Sequence, residues 1–283
     1  MGRILGACSW SGGGYAVGMT RAQAAIAMGT RWAGLLAIAW LWPLVSAFAA
    51  DSGAPIVLRT VQQSGAIGKY GAPGEAQMPG LCREILAAIE RIDPRLHFTG
   101  LGTHAPLRRI ERMLAQDEID VFLCLLKSPE RERQWRYLPV PLYRIRHVLV
   151  QRADDPAEYR SLAELAEPSR RKPVLIGQGT LLRDSLTRAG VVSSAPPSER
   201  EALKMLAAGR SDVVYGQDVN LLRMVRESGF AGQLRIAPTA FHEEFQYAVV
   251  SQQLSPELQL RLTQNLQQLE REGVLKALAD KYK

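Results

Sequence analysis

Residues 120–131 form the stretch DVFLCLLKSPER, in which an acid precedes an apolar run and a Ser-Pro pair follows Lys127. Its continuous apolar run predicts a strand that is buried on both faces of a parallel sheet. Ser128 followed by Pro129 predicts the start of a helix, because a serine hydroxyl can accept an unpaired amide and proline has no amide to leave unpaired. Arg131 is therefore expected in the first turn of a helix, at the carboxyl end of a buried strand.

Ligands of open α/β sheets bind in the crevice outside the carboxyl ends of the strands. A guanidinium held in that place can bind a carboxylate through two parallel hydrogen bonds, which makes Arg131 a candidate ligand-binding residue. The alternative is a solvated arginine in a basic surface patch, because four more arginines follow between residues 133 and 146. The rest of the chain favours the first interpretation.

The residues around this arginine resemble those of the extracellular solute-binding proteins of the type II periplasmic fold, the group that serves uptake of polar amino acids. Ser128, Arg131, Tyr137 and Pro141 match the hydroxyl residue, arginine, aromatic residue and proline turn of that family, in the same order. The resemblance runs from about residue 56 to the carboxyl terminus. It departs from the family just before Ser128, where Leu-Leu-Lys replaces the small residues that usually let a ligand approach the backbone.

The resemblance implies an α/β fold of two lobes, each a mostly parallel sheet flanked by helices. Two hinge crossings near residues 148–152 and 244–248 would join the lobes. The first lobe is expected to combine residues 51–147 with residues 247–283, and the second to comprise residues 150–244. Closure about the crossings would bury the ligand and bring polar groups from both lobes onto it.

Two stretches of the second lobe resemble ligand-binding segments of the family. Gly179 and Thr180 lie between a predicted strand and a predicted helix, where free amides can hold an anion, and the resemblance implies contact with the ligand carboxylate. Residues 209–218, GRSDVVYGQD, resemble the strand whose terminal acid holds the ammonium of amino-acid ligands. Asp218 is thus the expected partner of Arg131, and the alternative is a helix cap.

Aromatic residues beside the expected cleft are candidate walls for the side chain of a ligand. Tyr70 lies in a glycine-rich loop that lines the cleft in the family, and Trp135 is close to the binding arginine in sequence. Tyr215 and Phe245 are weaker candidates of the same kind. The alternative for all four is a place in the hydrophobic core, which is common for aromatic residues beside strand ends. Ser128 completes the predicted ligand-binding set.

The amino terminus carries a predicted secretory signal. Arg31 precedes a short apolar run over residues 33–45, and Ala47-Phe48-Ala49 has the form of a cleavage site. We expect cleavage after Ala49 and a periplasmic protein; the alternative, a membrane anchor, would need a longer run. Loss of residues 1–49 removes three arginines and no acid, so the formal charge of +7 becomes 32 − 28 = +4. So small an excess, without a basic stripe, argues against a nucleic-acid partner.

Export would place Cys82 and Cys124 in an oxidising compartment, where two cysteines can form a disulfide. Both are expected near one edge of the first sheet, and two reduced buried thiols are the alternative. No group of histidines and cysteines has the spacing of a metal site. The sequence therefore predicts neither a metal nor a cofactor.

The leading hypothesis is a monomeric periplasmic protein that binds an amino acid or a related small carboxylate, hands it to the membrane permease of an ABC importer, and has no catalytic residue. Cyclohexadienyl dehydratases resemble the same family, so an enzyme is the first alternative, with Glu84, Glu130 or Asp218 as proton donor. The second alternative is a sensory module that binds a ligand for a membrane receptor. The residues themselves do not separate sensing from transport.

Overall fold

The computed structural model describes residues 53–72, 77–178, 180–227 and 229–283. The predicted signal, residues 1–49, lies outside the described residues, so its prediction stays a prediction. Within the described ranges, no helix combines the length and the apolar character that a membrane crossing requires.

Short strands and helices alternate in the first part of the described chain. The strands are β1 (Ile56–Arg59), β2 (Gln62–Gln63), β3 (Leu96–Thr99), β4 (His104–Ala105) and β5 (Val121–Leu126). The helices are α1 (Ile67–Tyr70), α2 (Leu81–Ile92), α3 (Leu107–Ala115) and α4 (Pro129–Gln134). The long strand β6 (Arg136–Arg152) then leads into the second part.

A short 3-10 turn (Leu162–Leu165) opens the second part, which again alternates helices and strands. Its helices are α5 (Ala166–Arg171), α6 (Leu182–Arg188), α7 (Glu199–Ala207) and α8 (Asp218–Glu227). Its strands are β7 (Val174–Ile176), β8 (Ser193–Ser194), β9 (Val214–Gln217) and β10 (Leu234–Ile236). The chain returns through β11 (His242–Val250) and ends in α9 (Pro256–Arg271) and α10 (Val274–Lys281).

The largest sheet has the strand order β5-β11-β6-β9-β7-β8, with β10 paired to β6. The pairs β1–β3, β2–β4, β7–β8 and β7–β9 are parallel, as expected for strands joined through helices. All the antiparallel pairs involve β6 or β11. The α/β class is confirmed, and the sheet is mixed because the two long crossing strands run against their neighbours.

All six residues of β5 are buried, as the apolar run predicted. The expectation that β5 pairs with a parallel neighbour is wrong, because β5 pairs with β11 in antiparallel orientation. Contact with β1 is made just before the strand, where the Asp120 amide donates to the Arg59 carbonyl at 2.9 Å. A short apolar run indicates burial on both faces but does not show the direction of the neighbouring strand.

A bulge interrupts β5 at the residues that matter most for the site. Leu123 and Cys124 together stand opposite Ala248 of β11, and Cys124 has a φ of 64°, which residues other than glycine rarely adopt. The bulge turns two carbonyls towards α1. The Leu123 carbonyl accepts from the Tyr70 hydroxyl at 2.6 Å, and the Cys124 carbonyl accepts from the Lys69 amine at 3.3 Å.

A disulfide joins Cys82 to Cys124, with a Cα–Cα distance of 6.2 Å. Of the two alternatives left open for these cysteines, the structure therefore has the bridge. Both residues are buried, and Cys82 is the second residue of α2. The bridge consequently ties the start of α2 to the bulge of β5, in the core rather than at an exposed sheet edge.

In the part of the chain that the structure describes, three clusters of buried apolar side chains form the core. The largest packs β1, β3 and β5 with α2, α9 and α10, and the two smaller clusters lie around β7, β9 and helices α6 to α8. Two residues pack into a different cluster from the rest of their helix. Val219 of α8 is part of the largest cluster, and Ile67 of α1 is part of a smaller one. The contact of α1 with α8 is thus an exchange of apolar side chains. The residue boundaries of the two lobes stay a prediction.

Candidate functional site

A cavity of about 220 Å³ lies between α1, the bulge of β5 and Arg131 of α4 on one side, and the first residues of α6, α7 and α8 on the other. Five leucines supply much of its apolar wall. Among the described residues, the charged side chains of the lining are Lys69, Arg131 and Glu199, and polar side chains include Thr180, Asn220 and Gln246. The enclosed volume is below the roughly 300 to 1,000 Å³ typical of drug-sized ligands, so the cavity suits a small molecule.

Arg131 lines this cavity and is only 6 % exposed. Ser128 starts the helix as predicted, because its hydroxyl accepts the Arg131 amide at 3.3 Å. The guanidinium donates from Nε and Nη2 to Oε1 of Glu111, at 3.0 and 2.6 Å, and from Nη1 to the Leu126 carbonyl at 3.1 Å. An arginine carries five N–H groups, so about two remain for a ligand.

Lys69 is a second buried cation in the lining, also 6 % exposed. Its amine donates to the Cys124 carbonyl at 3.3 Å. Burial lowers the pKa of Lys69 to about 8; the charge of Glu199 acts in the opposite direction, and the charge of Arg131 lowers the pKa further. The two cations are therefore close enough to repel each other.

Glu199 is the first residue of α7, and Ser198 caps that helix by accepting the Glu201 amide at 3.1 Å. The Glu199 carboxylate accepts a hydrogen bond from the side-chain amide of Asn220 on α8. Burial raises the pKa of Glu199 to about 7, an effect that the positive charge of Lys69 partly offsets. The cavity thus contains an acid whose protonation changes near neutral pH.

The shifted pKa of Glu199 predicts a pH-dependent contribution to stability. Because the folded-state pKa of about 7 lies above the ordinary glutamate value of 4.5, the folded protein binds more protons between these values, and stability falls as pH rises through this range. Glu199→Gln removes this loss. We expect the variant to be about 1 to 3 kcal/mol more stable than the parent at pH 8, and to show no such gain at pH 4.5.

Urea unfolding at the two pH values measures the difference. Glu201→Gln is the matched control, because Glu201 lies on the same helix and is exposed next to Lys204. An equal stability difference at both pH values for Glu199→Gln would contradict the assigned pKa.

Gln246 supplies an unused acceptor at the cavity. Its side chain lies on β11, is 0 % exposed, and donates from Nε2 to Oε1 of Gln217 at 3.3 Å. Its own Oε1 has no hydrogen-bond partner among the described residues. Because an unpaired buried acceptor costs about 1 to 3 kcal/mol, this oxygen is suited to accept a donor from a ligand.

Asp218 does not line the cavity, which corrects its expected position opposite Arg131. It is fully buried, and its carboxylate accepts from Nε of Arg146 at 3.0 Å and from the Arg146 amide at 3.1 Å. The preceding residue, Gln217, lines the cavity instead. Gln217 is the last residue of β9 and Asp218 the first of α8, so the position of an acid at a strand end did not determine the side that it faces.

Three of the four aromatic candidates are core residues, which was the alternative interpretation. The ring of Tyr70 stacks on Phe122 with 5.7 Å between centroids, and Trp135 is 4 % exposed within the largest apolar cluster. Tyr215 is buried in a smaller cluster, whereas Phe245 is 46 % exposed. None of the four lines the cavity.

The remaining predicted residues have different outcomes. Thr180 lines the cavity, and its hydroxyl donates to the Gly177 carbonyl at 2.9 Å. Ser128 acts through the start of α4 and does not itself line the cavity. Gly179 lies outside the described residues, so its role stays a prediction.

The proton donors named for an enzyme lie away from the cavity. Glu84 accepts from Lys281 at 2.6 Å, and Glu130 is exposed on α4 near Arg133. Among the described residues, the acid in the lining is Glu199, which the sequence analysis did not single out. Lys69 was also missed, because a lysine in a glycine-rich loop has no pattern that distinguishes it from a surface residue. No cluster of three or more potential metal ligands occurs among the described residues.

Comparison with known proteins supports the architecture. No protein-family profile matches the sequence, and no curated protein matches it. An ancestral arginine-binding protein bound to glutamine superposes with a TM-score of 0.64 at 21 % identity, covering 80 % of this chain and 97 % of that one. A histidine kinase sensor domain with similarity to periplasmic binding proteins gives 0.66 at 21 %, covering 81 % and 95 %. The substrate-binding protein of an amino acid ABC transporter gives 0.63 at 16 %, covering 80 % and 98 %.

Proposed function

We propose that this chain, which has the two-lobed α/β fold of the type II periplasmic binding proteins, captures an amino acid or a related small carboxylate in the cavity that Arg131 lines. The observation that carries the proposal is the buried guanidinium, which keeps about two N–H groups free for a carboxylate. The acceptors of Glu199 and Gln246 offer a place for the ammonium. Binding, without chemistry, is the activity that this arrangement supports best.

The proposal includes two lobes that comprise residues 51–147 with 247–283, and residues 150–244. The separation of the apolar side chains into one large cluster and two smaller ones supports this division. The cavity takes side chains from both parts, so a ligand that contacts Arg131 and Glu199 together stabilises their approach. Ligand binding and closure of the lobes would then be one process.

We place the protein in the periplasm as the monomeric binding component of an ABC importer, delivering its ligand to the permease. The likeness to the substrate-binding protein of an amino acid ABC transporter supports this role. A sensory module for a membrane receptor is the second candidate, and the likeness to a histidine kinase sensor domain favours it. Genes for a permease and an ATPase beside the coding sequence would favour the importer, and a receptor gene would favour the sensor.

The test of ligand binding is a screen of amino acids and small carboxylates by thermal shift, followed by calorimetric titration. Arg131→Met is expected to lower the affinity for the best ligand at least about 100-fold, because a charge-assisted pair of hydrogen bonds is lost. Arg133→Met is the matched control on the same helix, since the Arg133 side chain is exposed. An Arg131→Met variant that folds and keeps its affinity would contradict the site.

Removal of Arg131 also leaves Glu111 without its partner, which destabilises the variant for a reason unrelated to the ligand. The double variant Arg131→Met with Glu111→Gln removes that unpaired acid. We expect it to recover thermal stability relative to the single variant while binding remains lost. Circular dichroism confirms that each variant is folded before titration.

A further inference from the structure

Two cations, Lys69 and Arg131, line the same cavity. Lys69 comes from α1 and Arg131 from α4, and both side chains are almost completely buried. Like charges repel strongly where water is excluded, and an anion placed between them removes that cost. The cavity is therefore better suited to a ligand with negative charge on this side than to a neutral one.

The two cations differ in how far the protein already neutralises them. Glu111 lies on α3, outside the lining, and accepts hydrogen bonds from Nε and Nη2 of Arg131. Lys69 has no acid within 4.0 Å among the described residues, and its described hydrogen bond goes to the neutral carbonyl of Cys124. An ammonium has three donors, so about two remain. The charge of Glu199 acts on Lys69, but unlike Arg131, Lys69 has no described hydrogen bond to an acid, so its remaining donors are available to a ligand.

Two acceptors in the lining can take a positively charged donor. Glu199 contributes a carboxyl group whose pKa is about 7, and Gln246 contributes an oxygen that has no described partner. Among the described residues of the lining, Lys69 and Arg131 are cations with unused N–H groups, and Glu199 and Gln246 have unused acceptor capacity. The complementary small ligand carries two carboxylates and one ammonium.

We infer that the cavity selects an amino acid with a second carboxylate, and that Lys69 is the specificity-determining residue that binds one of the two carboxylates. The inference rests on the proposed function and narrows its ligand class. Arg131 binds the other carboxylate with its remaining N–H groups. Glu199 and Gln246 receive the ammonium. The volume of about 220 Å³ restricts the ligand to a short chain, of the size of aspartate or glutamate.

Calorimetric titration with two isosteric pairs tests the inference: L-glutamate against L-glutamine, and L-aspartate against L-asparagine. We expect the preferred acid to bind at least about tenfold more tightly than its amide, because the amide offers Lys69 no charge. In Lys69→Met the affinity for the acid is expected to fall about 10- to 100-fold, while the affinity for the amide changes less than about threefold. The preference for the acid is thereby lost.

Lys127→Met is the matched control, because Lys127 packs its amine over the ring of Tyr247 at 4.0 Å and does not line the cavity. It is expected to leave both affinities unchanged. A second readout needs no variant: raising the pH from 7 to 8.5 deprotonates much of Lys69, whose pKa is about 8, and completes the ionisation of Glu199, whose pKa is about 7. Glu199 acts on the ammonium that acid and amide share, so binding of the acid should weaken relative to binding of the amide. This readout remains available if Lys69→Met does not fold.

The outcomes separate the two proposals. If no amino acid or small carboxylate binds, the proposed function fails. If a neutral or basic amino acid binds more tightly than the acids, the binding function stands and the inference is overturned. It is also overturned if Lys69→Met lowers the affinities for the acid and the amide equally, because Lys69 then supports the structure of the cavity and does not bind the second carboxylate.

Discussion

Replacing Cys82 and Cys124 together by alanine is expected to lower the free energy of unfolding by about 4 kcal/mol. The disulfide links residues 42 positions apart, so its removal increases the conformational entropy of the unfolded chain. The bridge also holds α2 against the bulge of β5, whose residue Cys124 lines the cavity. We therefore expect a loss of ligand affinity together with the loss of stability.

Urea unfolding measures the stability change, and the same protein samples can be titrated with ligand. A thiol reductant provides the control: it should destabilise the parent protein and leave the double variant unchanged. A loss of less than about 1 kcal/mol in the double variant would show that the bridge adds little to the folded chain.

The second large effect concerns Gly68, where α1 meets α8. A Cβ atom on this residue would lie 2.4 Å from the Val219 carbonyl oxygen, which is too close for any side chain. The Gly68 amide also donates to Oδ1 of Asn220 at 3.1 Å. The atoms that an added Cβ would meet belong to the backbone of α8, so a change of side-chain rotamer cannot relieve the clash. Gly68→Ala must therefore move α1 away from α8.

That contact holds together the two sides of the cavity. Arg223 of α8 donates to the carbonyls of Ile67 at 2.9 Å and Met78 at 2.7 Å, and Ile67 and Val219 are each buried in the apolar cluster of the other side. Overpacking at such a contact costs about 1 to 3 kcal/mol. We expect Gly68→Ala to weaken ligand binding about 10- to 100-fold, since Lys69 and Asn220 move with the helices that carry them.

Gly102→Ala is the matched control for this prediction. It makes the same chemical change at a glycine where an added Cβ would have no heavy atom within 4 Å and where φ is not positive. Calorimetric titration and thermal unfolding compare the two variants with the parent. A Gly68→Ala protein with unchanged melting temperature and an affinity within about threefold of the parent would contradict the proposed dependence of the site on this contact.

Local sequence signals predicted the features that depend on neighbouring residues. The apolar run before Ser128 indicated the buried strand β5, and the Ser-Pro pair indicated the start of α4. The position of Arg131 in the cavity follows from these two signals. The sequence left the disulfide open, because only the fold brings residues 82 and 124 to a Cα–Cα distance of 6.2 Å.

The composition of the site could not be read in the same way. Lys69 and Glu199 lie far apart in the chain and meet only through the packing of α1 and α7 around the cavity. The prediction for Asp218 failed on direction: the residue before it lines the cavity, and Asp218 itself pairs with Arg146. A strand pattern predicts where a chain segment ends, but the side that its last residues face depends on the register with neighbouring strands.

Hydrophobic periodicity and helix capping act over a few residues, so the sequence alone predicted the alternation of strands and helices, the burial of β5 and the place of Arg131 beside its carboxyl end. The antiparallel pairing of β11 with β5 could not be predicted in this way, nor could the bulge that turns the Cys124 carbonyl towards Lys69 or the position of Glu199 in the cavity. Charge complementarity across a cavity arises from contacts between distant segments, and such contacts exist only after the chain has packed.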